Sequence, residues 1–365
     1  MKLECSVEKI KKALSQVNRI TGKNLTLPIL SSVLIIASKK LFKLRATNLS
    51  LGIEIEIPAN IEKEGISVIK GDLLNNIFLN IYNDIKVSIE VIKDNLYIKT
   101  KDNKIFIKNY PNEDFPTIPI ISGESFTIKS TDLIEGIKSV YYSASLSDIK
   151  PEISSIYIYP EENNLVFVAT DSFRLAEKKI KTKKTEDFTG VIIPFKNTVE
   201  ILKLFNETEG EIKVCFNKNQ ISFSHNGIYL TSKLIDGIFP DYKQIIPKNK
   251  NTEAITLKQD LLNALKLSNI FADKFNQINL NINPKKNIFE LTSKNIDVGE
   301  NKTKIEANTK GDDININFNH KYLLDCFQSI YQDSVSLQFD QENKPIIIRG
   351  ARDNSFTYLI MPMNK

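Results

Sequence analysis

The chain has 365 residues, 41% of them hydrophobic and 25% charged, with a formal net charge of +5. This length and balance fit two or three globular domains and argue against a disordered or membrane-spanning class. The charge is too mild to establish nucleic-acid binding alone, so its arrangement has to carry that question. No apolar run approaches the ~18 residues of a membrane span. The Met1–Ser6 start carries an acid and lacks the apolar core of a signal peptide. Cys5, Cys215 and Cys326 are far apart, odd in number and without metal-ligand spacing. A cytoplasmic location is expected.

In chain order, the first predicted element is a helix. Val7, Ile10, Leu14 and Val17 recur at 3/4 spacing and mark one apolar face. Lys9, Lys12, Gln16 and Arg19 share another face, about 200° away at ~100° per residue. One side can pack on a sheet while the other offers positive charge, which Lys23 extends. Leu44-Arg45-Ala46-Thr47-Asn48 follows, then a helix marked by Leu74, Ile77, Phe78 and Ile81, then an alternating strand at Lys86–Val91. Pro111, Pro116, Pro119 and Gly123 mark a linker. Beyond it come a helix (Leu133, Ile134, Ile137, Val140), the segment Phe167-Val168-Ala169-Thr170-Asp171, a helix (Val199, Leu202, Phe205) and a strand at Glu211–Phe216. After Phe239-Pro240-Asp241-Tyr242, Pro247 and the polar run Lys248–Thr252 mark a second linker. The last third holds a helix (Leu261, Leu262, Leu265, Phe271), Leu291-Thr292-Ser293-Lys294-Asn295, a helix (Leu323, Leu324, Phe327, Ile330) and a strand at Val335–Phe339. Later helices contribute Lys138, Lys196, Lys203, Lys258, Lys266 and Lys321, less regularly than the first.

The order repeats. Phe115-Pro116 and Phe239-Pro240 stand 124 residues apart, and Thr47-Asn48 and Thr170-Asp171 stand 123 apart. Helices and strands recur in step, so the chain reads as three copies of a unit of roughly 120 residues. Each copy holds two βαβββ halves, which predicts an α+β fold with helices on one side of antiparallel sheets. The expected domains are 1–121, 122–248 and 249–365.

Catalytic signatures are missing. There is no GxSxG, P-loop, GxGxxG or HExxH motif, and His225 and His320 stand apart from any nucleophile signature. A non-catalytic binding scaffold with no cofactor or metal is expected. The rival reading is a three-domain nucleic-acid-processing hydrolase with an interdomain active site.

Three landmarks carry a family resemblance. They are Leu25-Thr26-Leu27-Pro28-Ile29-Leu30; Ala169-Thr170-Asp171-Ser172-Phe173-Arg174-Leu175-Ala176, close to a family Ala-Thr-Asp-Gly-His-Arg-Leu-Ala; and Ser232-Lys233-Leu234-Ile235-Asp236-Gly237 leading into Phe239-Pro240-Asp241-Tyr242, with Met361-Pro362-Met363 at the end. Jointly, and across the whole chain, they resemble the bacterial DNA polymerase III β subunit, the sliding clamp.

That resemblance implies a head-to-tail homodimer closing a ring around duplex DNA, helices inside and sheets outside. The ring would tether the replicative polymerase and serve a clamp loader and other replication or repair proteins bearing a clamp-binding peptide. It implies sequence-independent DNA contacts at Lys9, Lys12, Arg19, Lys23, Asn24, Lys138, Lys150, Lys196, Lys203 and Lys266, with Lys150 in a loop at Leu146–Lys150. It implies a dimer interface where Ile105 and Ile107 meet Ile270 and Phe271. It also implies a peptide-binding groove formed by Ile153, Thr170, Arg174, Leu175, Pro240, Ile245, Asn319, Tyr322, Pro345, Leu359, Ile360, Met361, Pro362 and Met363. The chain departs from the family at Ser172-Phe173, where Gly-His is usual, at Gln244, where a base is usual, and at the terminal Asn364-Lys365. The departures bear on which peptide the groove prefers.

Overall fold

The computed structural model describes residues 1–22, 27–39, 41–82, 84–182 and 188–363. Lys23, Asn24, the Leu25-Thr26 start of the first landmark and the terminal Asn364-Lys365 lie outside the described residues. Six α-helices lie among the described residues: α1 (Val7–Asn18), α2 (Gly71–Leu79), α3 (Ser130–Val140), α4 (Phe195–Phe205), α5 (Lys258–Asn269) and α6 (His320–Asp325).

On α1 the buried residues are Val7, Ile10, Ala13, Leu14 and Val17, the expected face with one alanine added. On α5 the expected face shifts. Leu262 is half-buried and Phe271 lies beyond the helix end, while the buried stripe runs through Leu261, Ala264, Leu265 and Ser268. Small side chains complete this i, i+3, i+4, i+7 stripe, and a reading keyed to large apolar residues passes over them. The last helix is short because α6 gives way to a 3-10 turn over Cys326–Ser329.

Two compact units divide the chain: Met1–Thr131 with Val199–Leu234, and Asp132–Thr198 with Ile235–Lys365. The central repeat is therefore shared between them. Every strand pair within them is antiparallel. The first unit holds a five-stranded and an eight-stranded sheet, the second a nine-stranded and a four-stranded sheet.

The sheets join neighbouring repeats by one rule. Leu51–Ile57 pairs with Ile228–Lys233, Leu51 opposite Ser232 and Ile55 opposite Ile228. Arg174–Lys181 pairs with Phe356–Ile360, Arg174 opposite Ile360 and Lys178 opposite Phe356. In each case the last strand of the first half of one repeat meets the last strand of the second half of the next.

A turn leads into each of those first-half strands, and it is built twice in the same way. Asn48 Oδ1 accepts from the backbone N–H groups of Ser50 (3.0 Å) and Leu51 (2.7 Å), while the Thr47 hydroxyl donates to the Leu51 carbonyl. Asp171 Oδ1 accepts from Phe173 (3.0 Å) and Arg174 (2.9 Å), while the Thr170 hydroxyl donates to the Arg174 carbonyl. The short acceptor side chain satisfies backbone donors that the tight turn would otherwise orphan. Leu49 and Ser172, at matching places, both have positive φ, 71° and 79°.

Candidate binding groove and basic surface

The turn after Thr170 opens one wall of a cavity of about 220 Å³ in the second unit. Eight of the expected groove residues line it: Ile153, Thr170, Arg174, Leu175, Pro240, Ile245, Leu359 and Met361. Its floor is aliphatic, because Leu175 and Leu359 face each other across paired strands, and Ile153 is buried beside them. Ile245 and Met361 stand exposed at the rim. Small-molecule sites usually occupy about 300–1,000 Å³, so this cavity suits one or two inserted side chains.

Six expected groove residues do not line the cavity. Ile360 follows Leu359 in the strand and points to the opposite side, as period-two alternation requires, and it is fully buried there. Pro345 is buried as well. Asn319 instead caps α6, accepting from the N–H groups of Lys321 (2.9 Å) and Tyr322 (3.4 Å). Tyr322 supports Arg174, whose guanidinium lies 4.4 Å from its ring centroid. Pro362 and Met363 continue past the cavity, and the Met363 N–H donates to the Asn317 carbonyl at 2.8 Å.

Four lining residues were missed: Ser172, Phe173, Asp241 and Tyr242. The Ser172-Phe173 departure pointed to the first two, and the Pro-Asp-Tyr landmark contained the others.

Arg174 is held on two sides. Its Nε donates to Asp171 Oδ2 at 2.9 Å, and a terminal nitrogen donates to Asp325. Burial works against its charge, but Tyr358, Asp325 and Asp171 outweigh that and raise its pKa. It is a pre-oriented cation at the cavity edge rather than a mobile one.

Ser172 stands where the family has glycine, in the left-handed region that costs an L-residue roughly 1 kcal/mol. Part of this is offset because glycine has more freedom to lose on folding. Ser172→Gly is therefore expected to raise stability by up to about 1 kcal/mol, read as a higher Tm. A lower Tm would show that the Thr170 and Asp171 hydrogen bonds already remove the strain.

In the first unit Lys9, Lys12 and Arg19 are exposed on and just after α1, with Gln16 half-buried between them, and Lys203 is exposed on α4. In the second unit Lys138, Lys150, Lys196 and Lys266 are exposed. Lys196 pairs with Asp148 at 2.6 Å and Lys203 with Glu200 at 2.7 Å. Exposed pairs of this kind contribute about 0–1 kcal/mol, so a phosphate can displace them. Lys258 drops out of the expected series. It is half-buried, and its amine donates to the Ile330 carbonyl at 2.5 Å.

Lys104–Lys108 forms an edge of the five-stranded sheet, but the expected interface residue Ile107 is only 6% exposed within its own chain. Ile105 and Ile107 pair with Ile98 and Leu96, both buried, and so turn inward. Phe106 is the outward side chain, 53% exposed, with its ring edge-on to Tyr97 at 5.4 Å. In the second unit Ile270 is 64% exposed and Phe271 is half-buried.

Among the described residues no group of three or more His, Cys, Asp or Glu side chains could hold a metal ion. His320 is fully buried, with Nε2 2.7 Å from the Leu265 carbonyl, and burial lowers its pKa, which marks a neutral structural imidazole. No helix among the described residues is long and apolar enough to cross a membrane.

Models of the N-terminal, central and C-terminal domains of the DNA polymerase III beta subunit match residues 1–119, 127–241 and 243–364. The chain belongs to that family. The beta sliding clamp of Synechococcus elongatus is 27% identical over 371 residues, an alignment covering 100% of this chain and 99% of that protein. The sliding clamp of Bartonella birtlesii, solved bound to griselimycin, is 28% identical with a TM-score of 0.94 and full coverage of both chains. The beta subunit of Pseudomonas aeruginosa shares the fold at a TM-score of 0.95 and 24% identity, again with full coverage of both. Sliding clamps are non-catalytic processivity subunits of the polymerase, and the hydrolase reading finds no support. Clamp membership also accounts for the threefold α+β repeat.

Proposed function

We propose that two copies of this chain close head to tail around duplex DNA and capture replication and repair proteins by their apolar peptide tails. The observation that carries the dimer is the pairing rule of the sheets. Applied to the third repeat, the rule leaves Gly299–Lys304, last strand of a first half, seeking the last strand of a second half. The strand in that position is Lys104–Lys108. Both are edges of separate sheets within one chain. A second copy supplies each with its partner and hides edges that would otherwise invite aggregation.

Contact with DNA then rests on exposed lysines and arginines and reads phosphates, not bases. After loading, the protein is expected to remain on closed circular duplex and to run off the ends of linear duplex. Gel filtration of loaded, labelled protein on both substrates reads this directly. Equal retention on circular and unblocked linear DNA would sink the ring.

The groove reading rests on the aliphatic floor with two exposed apolar rim residues, which gives an incoming apolar side chain a place to leave water.

A further inference from the structure

Behind the groove lies a buried carboxylate that the binding surface itself does not use. Glu177 sits on Arg174–Lys181, 6% exposed, on the same face as Leu175 two residues before it. Across the sheet it stands opposite Val168 and Thr357, with Leu175 two residues before it and Lys179 two residues after, beside the buried apolar cluster of Val166, Leu175, Ile347 and Leu359. A carboxylate placed there needs partners to offset its desolvation.

One partner, Tyr242, belongs to the groove wall. The Tyr242 hydroxyl donates to Glu177 Oε2 at 2.5 Å and lies 2.6 Å from the Tyr159 hydroxyl. Lys179 Nζ stands 3.9 Å from the other carboxylate oxygen. Tyr242 opens the 3-10 turn Tyr242–Ile245, which carries Ile245 to the rim, and its own ring lines the cavity. That ring also meets Phe239 edge-on at 6.3 Å. Burial and the charge of Glu177 both push the Tyr242 pKa up, so the phenol stays a donor to the carboxylate.

We infer that Glu177 is a positioning residue for peptide capture: through the Tyr242 hydroxyl it holds the Pro240–Ile245 wall at the spacing an inserted side chain needs. The inference rests on the groove reading. Hydrophobic packing alone is non-directional and tolerates sliding of the turn on the sheet. A short hydrogen bond to a charged acceptor does not, because it weakens steeply when its angle opens.

Positioning and mere support make different demands on a set of variants. The probe is the C-terminal ten-residue peptide of the replicative polymerase from the same source, titrated by fluorescence anisotropy against the full chain. Glu177→Gln keeps an acceptor and should bind within about threefold of wild type. Glu177→Leu and Tyr242→Phe should each weaken binding about tenfold, which is roughly 1.4 kcal/mol. The double variant Glu177→Leu/Tyr242→Phe removes the buried carboxylate together with its phenol donor, and only Tyr159 loses a partner, so its Tm should recover part of the loss while its affinity stays about tenfold low. Recovery of affinity together with Tm would make Glu177 a structural residue and overturn the inference, as would wild-type affinity in Glu177→Leu. Failure of the wild type to bind the peptide at all would overturn the groove reading, and this inference with it.

Discussion

Ile245→Glu is expected to abolish capture of partner peptides while leaving fold and subunit association unchanged. Ile245 lines the cavity, yet about half of it is exposed, so the substitution leaves the core alone. An apolar side chain entering the groove gains roughly 1.5–3 kcal/mol on burial. After ordering costs, a peptide placing one or two such side chains should bind at micromolar strength, about −8 kcal/mol. A carboxylate at the rim removes part of that gain and must itself be desolvated on closure. The loss should therefore be at least 10–100-fold, beyond the useful range of a micromolar contact. Removing Met361–Lys365 tests the opposite wall. It deletes Met361 and the hydrogen bond from its N–H to the Phe173 carbonyl (2.8 Å) but spares the strand Phe356–Ile360. Both variants should remain dimers and fail to support processive synthesis. Processive synthesis by the polymerase with either variant would show that the groove is not the capture site.

How much of this was legible in the sequence depended on the kind of side chain involved. Helix faces built from large apolar residues announced themselves by period, as Val7, Ile10, Leu14 and Val17 did. The face of α5 did not, because Ala264 and Ser268 carry half of it and neither is marked as apolar by size. The repeat offset was visible because the turn Thr-Asn/Asp has a fixed backbone purpose in both copies. Tertiary placement was harder. Lys-Ile-Phe-Ile-Lys has apolar residues on both faces of the strand, and only pairing with Leu96 and Ile98 decides that Ile105 and Ile107 turn inward. The groove floor came through family resemblance, since Leu175, Ile245 and Leu359 are distant in sequence and bear no local mark. Glu177 was invisible: one acid among many lysines and glutamates gives no sign that it will be buried against a tyrosine 65 residues away.

The same alternation decides where the subunit join should be tested. A charge at Ile107 would enter the interior of its own chain and confuse misfolding with dissociation. Phe106→Glu and Ile270→Glu place the charge on side chains that are mostly exposed within one chain. Each single chain should therefore fold with an unchanged thermal transition for its own core. In the proposed dimer, the same positions would lie at or beside edges that the pairing rule brings together. An uncompensated charge buried there costs several kcal/mol. A two-subunit ring contains that join twice by symmetry, so one substitution penalises both. Each variant is expected to run as a folded monomer near 41.6 kDa by light scattering, where the unaltered chain runs near twice that mass. Loss of the ring should in turn abolish retention on circular DNA even though Lys9, Lys12 and Arg19 are untouched, because a few exposed cations would hold phosphates only weakly without closure to keep them there. A variant that stays dimeric with either charge in place would move the join away from Lys104–Lys108, and the pairing rule with it.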